Sequence, residues 1–351
     1  MITSETLLYA LAAIAVFSFI LLLLFMYLFI KRLQQNKFEK NVDNYILEHL
    51  DDWYNYLIND DASSITNIKR VRTKAENTAV DKIFSHYIRN VKDDKVHNKI
   101  AEYVSMHSSH FYLKKIKSKN WGERISTLYK MRDYQMSFLL PNVEEMLQKP
   151  KSLDIDEYVI ILKILSVYNR DLFLAHLFEP KLPLGEFEYI KLIHQLDESY
   201  FDMLLEQFDE LPINLSIAFI VVIGYQAKSD SKDIMFLEEL LSSSNSELRV
   251  RALKSLTKIG AFHDFGKYKE FVQSEVWEER LMFAKMLVNV QEPIARPYLE
   301  KLIEDDTWWV RKQAATTLSN IKNGAQSLEH IIKFSNDRYA VDMAKELLGE
   351  G

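Results

Sequence analysis

Three stretches of the sequence can be aligned at a spacing of 31 residues: RVRALKSLTKI at 249–259, RLMFAKMLVNV at 280–290 and RKQAATTLSNI at 311–321. Each opens with an arginine and places small or apolar residues three, four, seven and ten positions later, on one face of a helix. A fixed period of this length is typical of a solenoid, in which stacked helix pairs bury their apolar faces against their neighbours.

The composition agrees with an all-α fold. The chain has 351 residues, 48% of them apolar and 27% charged, with only 8 glycines and 7 prolines. No run of alternating Val, Ile and Thr indicates a sheet. The absence of cysteine excludes disulfide bonds, thiolate metal sites and cysteine nucleophiles.

A first helix precedes each arginine-led stretch, because an apolar triplet repeats there too: Leu237, Leu240, Leu241; Tyr268, Phe271, Val272; Leu299, Leu302, Ile303. Degenerate units flank these three, with Ile213 and Ala340 at the arginine position. An upstream stretch that opens with Arg124 follows the same template. A tryptophan lies three residues before three of the arginines, at Trp121, Trp277 and Trp308. We expect these side chains to pack between repeats, the alternative being a binding hot spot.

These stretches resemble the HEAT-repeat family. The matching residues are the Asp305-Asp306 turn, Val310-Arg311, Ala314-Ala315, Leu318, Ile321, Leu248-Arg249 and Ala252. The resemblance implies that the arginine opening each second helix bonds acceptors in turns of its own or the next repeat. It assigns this structural ladder to Arg249, Arg280 and Arg311, and Arg124 fits the same template. We expect the ladder to be interrupted at Ile213 and Ala340.

The N-terminus contains a membrane anchor. Residues 7–30 carry no charge, proline or glycine, and as a helix they would span about 36 Å, enough for a hydrocarbon core of about 30 Å. A cleaved signal peptide would have a basic start and a shorter apolar stretch. Four basic residues follow the segment, which places the N-terminus outside the cell membrane and the body in the cytoplasm: Lys31, Arg32, Lys37 and Lys40.

Charge is divided unevenly along the chain. Residues 31–130 carry a net charge of +6, and residues 131–351 carry −11. The basic part follows the anchor, so anionic lipid headgroups are expected partners near Lys31, Arg32, Lys69 and Arg70; the alternative is that these are solvated helix faces. Nucleic acid is not an expected partner, because the distal region is acidic.

The sequence predicts four segments: a transmembrane anchor (1–35), a membrane-proximal helical hairpin (36–107), degenerate repeats (108–200) and HEAT-like repeats (201–351). The hairpin's first helix carries Val42 to Leu57. Its second helix is expected to be capped by Ser63 or Ser64 and to run from Ile65 to Ile88.

Catalytic patterns are missing from the sequence. It has no glycine-rich phosphate loop, no G-x-S-x-G and no H-E-x-x-H. His107 and His110 could share a helix face, but no carboxylate at the usual ligand spacing supports a metal site. We therefore expect neither an enzyme nor a cofactor, and keep a HEAT-like metal hydroxylase or lyase as the alternative.

The second helices of HEAT solenoids usually line the concave face, the usual partner surface. Trp309 adjoins Trp308 and must point elsewhere, so we predict that it contacts a partner. Five basic residues lie off the buried stripe and could bind an acidic segment, the alternative being solvated surface: Arg251, Lys254, Lys258, Lys285 and Lys312.

The sequence thus favours an all-α protein: a single-pass transmembrane helix followed by an α-solenoid that serves as a scaffold or adaptor. Its partner would be a membrane-associated protein. One specific hypothesis is an accessory subunit of a membrane-bound synthase of envelope polysaccharide. A self-associating structural protein is the other alternative.

Overall fold

A computed structural model describes residues 4–59, 71–226, 231–261 and 263–349. Every regular element in these ranges is helical, which confirms the all-α fold class. The contacts divide the chain into two units, Met1–Asn169 and Arg170–Gly351. The finer division into four segments remains a prediction.

The N-terminal unit contains seven described α-helices: α1 Ser4–Leu57, α2 Lys74–Asn90, α3 Asp94–Tyr103, α4 Ser109–Ile116, α5 Trp121–Asp133, α6 Leu140–Leu147 and α7 Ile155–Tyr168. A π-helical turn, Val104–Ser108, joins α3 to α4.

Helix α1 is a continuous helix of 54 residues, about 81 Å long. It contains neither glycine nor proline, so nothing in its sequence breaks the hydrogen-bond ladder. Within the described residues, its part Ala12–Leu57 is the one helix long and apolar enough to cross a membrane, and none of its most apolar window is buried. Burial begins at Val42 and includes Trp53 and Leu57. The apolar segment therefore continues without interruption into the folded unit.

Helix α2 begins later than the sequence predicts. Thr73 accepts a hydrogen bond from the Glu76 N–H while the Glu76 carboxylate accepts one from the Thr73 N–H, a capping box that fixes the start at Lys74. Val71 lies before the helix. The predicted caps, Ser63 and Ser64, fall outside the described residues.

Helices α1 and α2 run in the same direction. Trp53 packs edge-to-face on Phe84, with ring centroids 5.0 Å apart. Burial, with the Glu76 charge adding to it, raises the pKa of Tyr45 to about 12, so the start of α2 lies toward the Tyr45 end of this part of α1. Both pairs are separated by 31 residues, as expected for parallel helices. Residues 60–70, which include the start of the expected second helix, lie outside the described ranges, so the hairpin of residues 36–107 remains a prediction.

The same parallel stacking continues along the unit. Lys74 at the start of α2 lies 3.7 Å from Glu123 at the start of α5. At the other end, the Ser85 and Tyr134 hydroxyls are hydrogen-bonded at 2.7 Å. The backbones of α1 and α2 lie close together, as do those of α5 and α7, and the side-chain contacts join α2 to α5. These four helices therefore occupy the position of second helices in a stack.

The C-terminal unit contains six successive helix pairs in the described residues: α8 Arg170–Phe178 and α9 Glu186–Ile193; α10 Glu198–Glu206 and α11 Ile213–Gln226; α12 Ser231–Glu239 and α13 Ser246–Ile259; a 3-10 helix Phe265–Gln273 and α14 Trp277–Met286; α15 Glu292–Leu302 and α16 Trp308–Asn320; α17 Gly324–Phe334 and α18 Arg338–Leu348. The second helices α9, α11, α13, α14, α16 and α18 contact one another in this order.

The core of this unit lies at the positions predicted from the 31-residue period. Residues three, four and seven after each aligned arginine are at most 1% exposed: Ala252, Leu253, Leu256; Phe283, Ala284, Leu287; Ala314, Ala315, Leu318. Each fully buried large apolar side chain contributes about 1.5–3 kcal/mol to folding. Stacking of successive helix pairs buries apolar faces that a single pair would leave exposed, as an α-solenoid requires.

Candidate partner-binding surface

The four aligned arginines share one local geometry. Each donates from Nη1 to the carbonyl oxygen six residues earlier, in the turn that precedes its own helix: Arg124 to Ser118 at 3.1 Å, Arg249 to Ser243 at 2.8 Å, Arg280 to Ser274 at 2.6 Å and Arg311 to Asp305 at 2.6 Å. These bonds satisfy carbonyl groups that the turn leaves without helical partners.

Three of these arginines also reach a carboxylate of the next second helix or its preceding turn: Arg124 to Glu157 at 2.7 and 3.0 Å, Arg249 to Glu279 at 2.6 Å, and Arg280 to Asp305 at 2.5 and 2.9 Å. The acceptor side chains are at most 8% exposed. Hydrogen bonding to Asp305 raises the pKa of Arg280. These guanidinium groups are occupied by contacts between repeats.

Arg311 has a different environment. It makes no ion pair with the described residues, and its guanidinium lies 4.9 Å from the ring centre of Tyr339. Its Nε is buried without a hydrogen-bond acceptor in the same part of the chain. Ala340 occupies the arginine position of the following helix, α18.

Three of the five predicted basic contact residues are engaged within the C-terminal unit. Arg251 donates to both carboxylate oxygens of Glu186, at 3.0 and 2.9 Å, and to Glu247. Lys258 lies over the exposed ring of Tyr225.

Lys312 is the third of these engaged residues. Its ammonium is 3.5 Å from Glu346 and 4.9 Å from the ring centre of Trp308. Lys254 and Lys285 are exposed and have no ion-pair partner in the described residues.

The expected packing of the tryptophans between repeats is wrong for two of them. Trp121 is 49% and Trp308 41% exposed, while Trp277 is half-buried. Each is the first residue of its helix, beyond the stripe that the neighbouring helices cover. In α16, Val310 takes the buried position instead.

Trp308 and Trp309 form an exposed pair. Their rings meet edge-to-face with centroids 4.7 Å apart, and Trp309 is 59% exposed. Tyr339, at the start of the adjacent helix α18, is 65% exposed. We call these three residues the terminal aromatic surface. Aromatic side chains of this kind are enriched at the energetic centres of protein interfaces.

Two of the four predicted lipid-contact residues lie in the part of the chain that the structure describes. Lys31 and Arg32 are exposed on α1 directly after the apolar segment, whereas Lys69 and Arg70 lie outside the described residues. In the described ranges, no group of three His, Asp or Glu side chains is arranged to hold a metal ion.

No curated protein matches the chain. Residues 268–348 match the family model of HEAT repeats. This range contains α14 to α18, with the arginine-led stretches at 280 and 311 and the terminal aromatic surface. The helix pairs of this part of the chain are therefore similar to HEAT repeats.

Proposed function

We propose that the protein is a membrane-tethered scaffold or adaptor that binds a protein partner through the terminal aromatic surface. The exposed Trp308–Trp309 pair carries this proposal. Two adjacent large aromatic side chains are exposed at the start of α16, outside the buried stripe of that helix, and such a pair offers apolar area at a small cost in side-chain entropy.

The architecture fits this role. A stack of helix pairs presents a series of second-helix surfaces, and HEAT-like solenoids generally function by binding. Lys312 lies over Trp308 and next to Glu346, so an ion pair lies beside the first ring of the aromatic pair. Lys254 and Lys285 are exposed on α13 and α14 and add positive charge to the second helices.

Membrane tethering is supported by the continuity of α1. Removal of residues 7–30 as a signal sequence would cut a helix whose later part, from Val42 to Leu57, is built into the N-terminal unit. Retention as an anchor leaves that helix intact. The basic residues after Ile30 favour an external N-terminus and a cytoplasmic body, and tethering raises the local concentration of a membrane-bound partner.

A membrane protein is therefore the partner class we propose. An accessory role for a membrane-bound synthase of envelope polysaccharide is the most specific form of this proposal. A HEAT-like enzyme and a self-associating structural protein are the competing functions, and each predicts a different result below.

Affinity capture from crosslinked membranes tests the proposal. The full-length chain is compared with Trp308→Ala/Trp309→Ala and with Tyr129→Ala, which removes a 48% exposed aromatic ring from α5. We expect the double variant to lose a captured membrane protein at least about tenfold, and the control to retain it. Identical captured proteins in all three would contradict the role of the aromatic surface.

The same experiment separates the alternatives. If the dominant captured species is a second copy of this chain, light scattering should show oligomers, and self-association replaces the adaptor role. Copurification of a metal or chromophore in stoichiometric amount would favour the enzyme.

A Thr3→Cys variant tests the membrane orientation. Labelling of this cysteine by an impermeant maleimide only after permeabilisation would contradict an external N-terminus.

A further inference from the structure

A basic cavity of 380 Å³ lies in the N-terminal unit, where the start of α2 faces the π-helical turn, α4 and the start of α5. Six basic or imidazole side chains line it: Arg72, Lys74, His107, His110, Lys114 and Lys115. We call it the basic cavity. Its volume is within the range of small-molecule sites.

The cavity has an excess of positive charge. Its lining contains one carboxylate, Glu123. That group accepts a hydrogen bond of 2.6 Å from the Ser118 hydroxyl and lies 3.7 Å from Lys74; the Ser118 hydrogen bond and the Lys74 charge lower its pKa. Arg72, Lys114 and Lys115 have no ion-pair partner in the described residues, so the charge of three cations is not neutralised by contact.

Lys115 is the most constrained of these cations. It is partly buried and lies 4.3 Å from the ring centre of Phe111. Burial lowers its pKa and the Lys130 charge adds to this shift, while the Asp81 and Glu123 charges oppose it without reversing it. An ammonium withdrawn from water without a carboxylate in direct contact is unfavourable, and an anion in the cavity would offset that cost.

One group in the lining requires a donor rather than an anion. The Oδ1 atom of Asn77 is buried and accepts no hydrogen bond from the described residues, while its Nδ2 donates to the Thr73 carbonyl at 3.0 Å. A buried acceptor without a donor is costly. A ligand hydroxyl would satisfy it once a rotation of the half-buried Asn77 side chain turns Oδ1 toward the cavity.

The backbone adds an independent feature. His107 lies in the π-helical turn Val104–Ser108, which interrupts the otherwise continuous α3 and α4. Single π-helical turns within α-helices occur frequently at functional sites. Here the turn carries one of the two imidazoles into the lining.

We propose that the basic cavity binds a phosphate ester of a polyol. The phosphate oxygens are held by Arg72, Lys114 and Lys115, the three cations without an ion-pair contact, and a ligand hydroxyl donates to Asn77. Phosphate suits this lining because it accepts several charge-assisted hydrogen bonds at once.

The position of the cavity favours a soluble ligand over a lipid headgroup. The start of α2 is level with Tyr45 of α1, 15 residues after Ile30, which corresponds to about 22 Å along the helix. The polar region on one side of a bilayer is only about 5–8 Å thick.

Calorimetric titration of the full-length protein in phosphatidylcholine nanodiscs with glycerol 3-phosphate tests the site. We expect saturable binding that weakens at least about tenfold in Lys114→Gln/Lys115→Gln, since each lost cation removes a charge-assisted hydrogen bond. The control Lys92→Gln/Lys95→Gln removes two exposed lysines outside the cavity and should bind as the wild type does. Absence of saturable binding, or equal weakening in both variants, would overturn the proposal.

Asn77→Ala tests the hydroxyl contact. Glycerol 3-phosphate should bind more weakly to this variant, whereas inorganic phosphate should bind unchanged; equal losses for both would refute the polyol part. Circular dichroism verifies folding, and Lys114→Gln, at an exposed position, carries the test if the double variant unfolds.

Nanodiscs that contain phosphatidylglycerol distinguish the source of the phosphate. Equal affinity for glycerol 3-phosphate in both lipid compositions supports a soluble ligand. Competition by phosphatidylglycerol that disappears in the Lys114/Lys115 variant would assign the cavity to a lipid headgroup and overturn the soluble assignment.

Discussion

The Arg249 guanidinium donates to the Glu279 carboxylate at 2.6 Å, joining the starts of two adjacent second helices, α13 and α14. The same arginine bonds the Ser243 carbonyl of its own repeat, and the Ser274 hydroxyl bonds the other oxygen of Glu279. One side chain therefore connects its own turn to the next repeat. Adjacent repeats are therefore coupled by a buried ion pair as well as by apolar contacts.

Substitution of Arg249 alone should destabilise the C-terminal unit more than substitution of both Arg249 and Glu279. The Glu279 side chain is 3% exposed, so Arg249→Ala leaves a buried carboxylate without its ion-pair partner, at a cost of about 3–5 kcal/mol. Arg249→Ala/Glu279→Gln should recover part of this loss. Thermal unfolding in detergent and hydrogen exchange of α14 measure both effects, with exposed Lys254→Ala as a control expected within about 0.5 kcal/mol of wild type.

Asp305 should make this unit acid-sensitive. Burial opposes ionisation of its carboxyl, but hydrogen bonds from Arg280 and the Thr307 N–H outweigh it and lower the pKa. A lowered folded-state pKa contributes stability that is present above the ordinary aspartate pKa, about 3.9, and is lost as the pH falls through the folded-state value. Asp305→Asn should therefore be less stable than wild type at pH 7.

The pH dependence of that difference is the measurement. The gap in unfolding temperature between wild type and Asp305→Asn should shrink as the pH falls below about 4. A difference in unfolding temperature that stays constant down to pH 2 would mean that the Arg280–Asp305 contact stabilises the unit through packing and not through the charge of Asp305.

The period of the sequence predicted the fold and the core because burial requires apolar residues at fixed helical spacing. Ala252, Leu253 and Leu256 are buried for that reason. The carboxylates that receive the arginines have no fixed spacing: they lie 33, 30 and 25 residues after Arg124, Arg249 and Arg280. A search for acidic residues in the capping turns could have found Glu157, which also caps α7.

Contacts between distant segments were beyond the reach of local patterns. Arg251 pairs with Glu186, 65 residues earlier, so a residue that looked available for a partner is engaged within its own unit. The basic cavity combines residues of α2, α4, α5 and the π-helical turn, and spacing along one helix could not reveal it. Trp308 shares its position in the repeat with Trp121 and Trp277, and this recurrence indicated packing between repeats. As the first residue of its helix, however, Trp308 lies outside the stripe that the neighbouring helices cover.

Substitution of two tryptophans should separate a core position from a surface position. Trp53 is fully buried and contacts the rings of Phe84 and Tyr103, so Trp53→Ala should cost about 3–5 kcal/mol. Trp308→Ala should change the free energy of unfolding by less than about 1 kcal/mol. Guanidinium titrations of the detergent-solubilised protein give both values, and equal losses would contradict the exposure of Trp308.

Gly224 sets the distance between α11 and α13. A Cβ atom added there would lie 2.6 Å from the Ser255 Oγ, 2.8 Å from its Cβ and 2.9 Å from its Cα. Gly→Ala within an exposed helix normally stabilises by about 1 kcal/mol, but Gly224→Ala should instead destabilise by about 1–3 kcal/mol, because two packed helices must separate. Gly224→Ala/Ser255→Gly moves the small residue to the facing helix and should restore part of the loss. The unfolding temperatures of the three proteins test this prediction. A Gly224→Ala variant more stable than wild type would show that the two helices have room to separate.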